Sequence, residues 1–248
     1  ADGESWSRPF RTLLTPEQKN IFYDLMLKLA HVSNQHGFIY FMYGGSLLGS
    51  YRHHDIIPWD DDIDVIMNVS DRSRVKKALL SLTEDYEVCD AGPRLKFFSK
   101  YSNRSSTYQW RWPYIDINFF KENDTHIWDS APEFQDSYIF PKSVVFPLHQ
   151  RPLGNIFLNS PRDGFANLKY TYDNVDCQTH RYNHRYEKQI RRYSIPCERL
   201  RDSVPFVHRS PSPFGIRETL MLGQSIIHSI VVKEPKYALC KPYILELS

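Results

Sequence analysis

"YGGSLLGSYRHHDIIPWDDDIDVIM", residues 43–67, holds two adjacent glycines, an Arg-His-His run and four acids within five positions: Asp60, Asp61, Asp62 and Asp64. Carboxylates this crowded repel one another, so a fold keeps them in open water or around something positive. Asp62 and Asp64 flank Ile63, and on a strand residues two apart project to the same side. "IDVIM", 63–67, is therefore expected to be a strand, with Ile63 and Val65 in the core and both carboxylates converging on one spot. There one of them would be driven to protonate unless a divalent cation stood between them. Hard oxygen ligands select magnesium or manganese over zinc. Upstream, Gly44-Gly45 breaks an apolar strand, "FIYFMY" (38–43), and Ser46 is expected to cap a short helix running to about Arg52. A glycine turn lets backbone amides approach a phosphate, and a helix start adds the positive end of a dipole.

The plain alternatives are a solvated acidic turn and, for Arg52 and His53, ordinary capping of a helix end. Against them stands the order of the parts: strand, Gly-Gly-Ser, helix, acidic strand. Asp116 adds to it, lone in the apolar run "YIDINFF" (114–120) and a candidate third carboxylate from a neighbouring strand. Working outward, Thr15, Pro16 and Gln18 read as a capping box opening a helix that Gly37 ends. Its core face carries Ile21, Phe22, Leu25, Leu29 and Val32 at helical spacing. A surface helix is expected over 71–82, strands over 86–90, 95–101, 144–148 and 155–159, and a helix over 162–172. Strands and helices mix without strict alternation, which predicts an α/β or α+β fold with a mixed sheet.

Apolar-Gly-Gly-Ser, then acid-apolar-acid, then a third acid between apolar residues resembles the nucleotidyltransferase fold. "GGSLLGSYRHHDIIPWDDDIDV" looks more narrowly like the signature of the LicD family, of the fukutin-related type. "YIDINFF" is similar to that family's second acidic block, and "VVFPLHQRPLGNIFLNSPRDGFANLKYTY" to a looser third. The resemblance covers about residues 15–173. It implies a catalytic domain over 1–173, a phosphotransferase, and a phosphorylated small alcohol (phosphocholine- or phosphoribitol-like) moved from a CDP-linked donor to a glycan hydroxyl. Asp62 and Asp64 would hold magnesium or manganese, with Asp116 completing the site as a ligand or as the base for the acceptor. Gly44, Gly45 and Ser46 would cradle the donor phosphates, with Arg52 binding them too. Arg52 and His53 would neutralise charge on the bridging oxygen.

The 248 residues can bury a sizeable core, and no run of 18 apolar residues spans a membrane, so any anchor is expected outside this chain. A net charge of +2 does not by itself call for a polyanion, and no nucleic-acid partner is expected. Sequons at Asn68, Asn103 and Asn123 favour a secretory-pathway lumen, the Golgi in particular, over the cytoplasm. Residues 174–248 are expected to form an extension packed on the catalytic domain. Within it, 180–193 is basic and aromatic and reads as a solvated helix, although it could bind RNA or cover the site. Residues 203–215 are expected to be irregular and 216–232 helical, with Leu220, Ile226, Ile227 and Ile230 apolar. Cys177, His180, His184 and Cys197 are competent zinc ligands, but a Cys177–Cys197 disulfide is the simpler reading in an oxidising lumen. Cys89 and Cys240 could also pair. The competing functions are nucleotide addition from an NTP to RNA or a small molecule, and a non-catalytic glycan-binding relative.

Overall fold

The computed structural model describes residues 7–82, 84–104, 107–172 and 176–233. Helix α1 (Pro16–His36) is opened by Thr15, whose side chain accepts from the Gln18 amide while the Gln18 side chain accepts from the Thr15 amide. It ends at Gly37, which is left-handed at φ 70°. Strand β1 (Tyr40–Met42) leads into α2 (Gly44–His53), then β2 (Ile63–Asn68) and α3 (Arg72–Leu80). Next come β3 (Tyr86–Ala91), β4 (Arg94–Arg104), β5 (Arg111–Glu122), β6 (His126–Asp129) and β7 (Ile139–Pro141). These seven strands form one mixed sheet in the order β1-β2-β5-β4-β3, with β6 and β7 continuing from β5. Only the β2–β5 pair is parallel.

The pleat sorts the central strands into two faces. Ile63, Val65, Met67, Ile115, Ile117, Leu95 and Phe97 join Phe22, Leu25, Met26 and Leu29 of α1 in the main core. The opposite face carries Asp64, Asp116 and Lys96, which are direct register partners across β2, β5 and β4. Alternation at period two thus places an apolar core behind the sheet and the charges in front of it.

Beyond the sheet, α4 (Lys142–Val145) precedes a hairpin of β8 (His149–Leu153) and β9 (Ile156–Ser160), followed by α5 (Gly164–Thr171). The strand expected over 144–148 is therefore a helical turn leading to a cis Phe146-Pro147 bond. A strap follows, in which β10 (Asp176–Gln178) pairs β13 (Ser194–Pro196), and β11 (Tyr182–Asn183) pairs β12 (Lys188–Gln189). The helix expected over 180–193 is absent, because the segment turns back on itself through Glu187, at φ 49°.

The final unit corrects two more expectations. Residues 206–232 form a meander of β14 (Phe206–Ser212), β15 (Gly215–Leu222) and β16 (Ser225–Val232). In place of an irregular 203–215 there is a strand, and in place of a helix over 216–232 there is a hairpin. Gly223, at φ 56°, sits in the two-residue turn where a helix would have needed its middle. Ile216, Glu218 and Leu220 alternate inward at the strand period.

Cys177 and Cys197 are disulfide-bonded at a Cα–Cα distance of 4.8 Å, closing the strap at its base. This excludes both sulfurs from a zinc site. Cys240 lies outside the described residues, so its pairing with Cys89 does too. Closing a loop of sequence separation 20 restricts the unfolded chain, and Cys177→Ser/Cys197→Ser should lower the unfolding free energy by about 3 kcal/mol. Urea melts of both proteins measure this, and an unchanged midpoint would count against the clip. Among the described residues, no helix is long and apolar enough to cross a membrane.

Candidate active site

Asp62, just before β2, Asp64 on β2 and Asp116 on β5 each place a carboxylate oxygen within 4.8 Å of the other two. They line a cavity of about 730 Å³ together with Gly44, Gly45, Arg94, Lys96, Asn118, Tyr172 and residues of the strap. Asp62 is buried, and burial with the charges of Asp60 and Asp64 pushes its pKa well above the ordinary value. Asp64 is raised as well, by burial first and by Asp116 next. Two adjacent carboxylates that both resist ionisation form a donor set short of positive charge, so the residues fit a hard divalent cation.

Protein cations supply part of the balance. Lys96 Nζ donates to both oxygens of Asp116, at 2.9 and 3.1 Å, and rests over the Tyr114 ring. Arg94 Nε donates to Asn118 Oδ1 at 2.6 Å, and Asn118 Nδ2 donates to Asp64 Oδ1 at 2.9 Å. Arg94, Lys96, Asp116 and Asn118 were not all visible to sequence reasoning, which found only the acid. The alternations Arg94-Leu95-Lys96 and Asp116-Ile117-Asn118 carried the signal for the others.

The glycine turn also answers a steric need. Gly44 and Gly45 line the cavity, but a Cβ on Gly45 would stand 3.2 Å from Asp60 Oδ2 and 3.6 Å from His180 Nε2. The bare backbone makes room for that ion pair. Ser46 does not cap α2, whose N-cap is Tyr43. Its hydroxyl instead accepts from the backbone amide of Asp64 at 2.7 Å, tying the helix to the acidic strand.

The acid triplet ahead of β2 is met by the strap. His180 Nε2 lies 2.9 Å from Asp60, and His184 lies 2.9 Å from Asp61 through Nδ1 and 3.2 Å from Asp62 through Nε2. Asp61 also accepts the backbone amides of His184 and Arg185. The Asp60 charge, followed by Asp62, raises His180 to about 9 against its burial. Burial would lower His184, yet Asp62 and Asp61 lift it to about 10, so both rings are charged at neutral pH. Burial opposes the charge on Asp60, but His180 holds it at about 2. Glu187 accepts from Trp110 Nε1, Tyr114 and Tyr182, fixing the aromatic wall beside Lys96.

The structure does not bring Arg52 and His53 into this cavity. His53 is buried between Trp59 and Phe206, accepts from Arg52 Nε and donates to the Pro205 carbonyl at 2.6 Å. Burial and the neighbouring Arg52 hold it neutral. Arg52 lines an adjoining chamber instead.

A strand, a glycine turn, a helix and an acidic strand, completed by a carboxylate from the parallel neighbour, define a nucleotidyltransferase-type domain. The family described as LicD/FKTN/FKRP, nucleotidyltransferase domain, matches residues 37–163. The chain belongs to the LicD family, a family of phosphotransferases, and is of the FKRP type. It is 29% identical over 142 residues to ribitol 5-phosphate transferase FKRP of Mus musculus, and equally so to that of Homo sapiens. Those alignments cover 54% of this chain and 28% of each relative. The uncharacterized protein RT0683 of Rickettsia typhi is 26% identical over 155 residues, covering 62% of this chain and 46% of that protein. The chain thus spans less than half the length of these relatives.

Proposed function

We propose that this chain moves a phosphorylated small alcohol, phosphoribitol- or phosphocholine-like, from a CDP-linked donor to a glycan hydroxyl. The observation that carries the reading is the convergence of Asp62, Asp64 and Asp116 within 4.8 Å in a cavity that also holds Arg94 and Lys96. Asp62, Asp64 and Asp116 would hold magnesium or manganese, which when bound supplies charge neutralisation on the donor diphosphate. In the transfer, the acceptor oxygen bonds to the phosphorus bearing the alcohol. The bond from that phosphorus to the CMP oxygen breaks, CMP leaves with the electron pair, and the hydroxyl proton passes to a base. Lys96 and Arg94 would face equatorial phosphate oxygens, where charge gathers in the transition state. Asp116 serves as a ligand or as that base. Gly44 and Gly45 present the start of α2 to the donor.

A disulfide at the base of the strap suits an oxidising compartment, which supports the secretory lumen as the working location. The test is transfer from CDP-ribitol and CDP-choline, set against CTP and ATP, with magnesium and glycan acceptors and with CMP release as readout. Transfer from the NTPs alone would establish nucleotide addition instead. EDTA should stop transfer, and added magnesium should restore it. Full activity in EDTA would remove the metal from the scheme.

A further inference from the structure

Lys96 carries its ammonium on a flexible aliphatic stem, which by itself fixes no position. The fold holds that ammonium from three directions. It donates to both oxygens of Asp116. It lies 3.6 Å from the centroid of the Tyr114 ring and 5.0 Å from that of Trp110. Tyr114 precedes Asp116 by two positions on β5, so ring and carboxylate stand on one side of the sheet.

Both rings are tied at their edges to one carboxylate of the strap. Trp110 Nε1 and the Tyr114 hydroxyl each donate to Glu187 Oε1 at 2.7 Å, and the Tyr182 hydroxyl donates to Oε2 at 2.9 Å. A carboxylate that receives an indole N–H and a phenol O–H fixes the planes of both rings. It also pushes electron density towards their faces, which strengthens their hold on a cation. The rings thus relay the charge of Glu187 to Lys96.

Two more observations single Glu187 out. It sits in the turn between β11 and β12 at φ 49°, a left-handed backbone that glycine adopts at less cost. A glutamate stands there instead, held by the bonds of its side chain. Its two oxygens already serve three protein donors, and among the described residues it belongs to neither group of side chains able to hold an ion. It lines the cavity as a fixed part of the wall. It also lies outside residues 37–163, the stretch matched by the family.

We propose that Glu187 is a positioning residue for the transfer: by holding the edges of Trp110 and Tyr114, it sets the two ring faces that seat Lys96 beside Asp116. The inference deepens the transfer reading and rests on it. In that reaction the ammonium must meet the phosphate oxygens at a set point, and a misplacement of about 1 Å is costly.

The test has two arms, both on the full chain. In the first, Glu187→Gln keeps the shape of the side chain and removes its charge. CMP release from CDP-ribitol, with magnesium and a glycan acceptor, should fall about tenfold in kcat while KM for the donor stays within about twofold. In a Lys96→Met background the same substitution should cost no more than about twofold, because its route of action is gone. A full tenfold loss in that background overturns the proposal, and so does an unchanged kcat in Glu187→Gln alone.

The second arm needs no transfer. Acetic anhydride labels amines, and mass spectrometry of the Lys96 peptide reads the rate. Glu187→Gln should raise that rate at least about threefold, the scale of a weakened cation–π contact. Lys19 of α1, which bonds Asp55, should keep its own rate and reports an intact fold. Tyr114→Phe keeps the ring and removes its donor. It should raise Lys96 labelling in the same direction, and it carries the test if Glu187→Gln does not fold. An unchanged Lys96 rate in these variants overturns the proposal. Failure of the transfer reading shows separately, as no CMP release from wild type, and leaves the labelling arm to decide.

Discussion

Asp64→Asn is expected to reduce transfer at least about a thousandfold, roughly 4 kcal/mol of transition-state stabilisation, while thermal stability stays at or slightly above wild type. The two halves of this result have one cause. In the folded chain Asp64 is pushed above its ordinary pKa by burial and by Asp116, its register partner on β5. Its ionised form is a load on the fold and an asset only to a bound cation. Asparagine is nearly isosteric, keeps an oxygen to accept from Asn118 Nδ2, and removes the repulsion. The Ser46 hydroxyl still receives the residue 64 amide, so α2 stays in register with β2. Transfer assays and calorimetric melting of the same preparation provide the check. A melting temperature several degrees lower would assign Asp64 a structural role instead, and retained transfer would remove it from the site.

The opposite pattern is expected at Glu218, which is fully buried on β15 away from the cavity. Its carboxylate receives Arg151 at 2.8 and 3.0 Å, Arg209 at 2.7 Å and His54 Nε2 at 2.8 Å. His54, the left-handed C-cap of α2, accepts in turn from His228 Nε2 through Nδ1. One carboxylate thus fastens α2, β8, β14 and β16. Glu218→Gln leaves two guanidiniums buried with half their partner removed. It should cost about 3–5 kcal/mol of stability at pH 7, a fall in Tm of about 10 °C.

The pH dependence tests the charge itself. Burial would raise the pKa of Glu218, but Arg151 and Arg209 outweigh it and hold the group far below its ordinary 4.5. A depressed carboxylate contributes stability that is complete above the unfolded pKa and fades as the pH falls towards the folded one. The gap between wild type and Glu218→Gln should therefore be constant from pH 7 to about 5 and shrink below about 4.5. Urea melts at pH 7, 5, 4 and 3.5 measure it. A gap that does not change with pH would mean that shape and hydrogen bonding, not charge, make the difference.

The capping box at Thr15, the end at Gly37 and the strands around Asp64 and Asp116 were legible in the chain, because each depends on contacts a few residues long or on strict alternation. The convergence of Asp62, Asp64 and Asp116 followed from the same alternation once β2 and β5 were taken as neighbours. The β15–β16 hairpin was misread as a helix, because Leu220, Ile226, Ile227 and Ile230 fit helical spacing. Gly223 and the β-branched run "SIIHSIVV" already spoke for strands.

What the sequence determined by itself is the acidic strand, its glycine turn and the family they belong to, since these are local patterns of residue type and spacing. What only the tertiary structure decided is how the site is finished. His180 and His184 reach Asp60, Asp61 and Asp62 across more than a hundred positions, Lys96 meets Asp116 across a register, and Arg52 turns into a separate chamber while His53 is sealed beneath Phe206. Those pairings arise from chain reversal and burial, which bring charges together irrespective of their order along the chain.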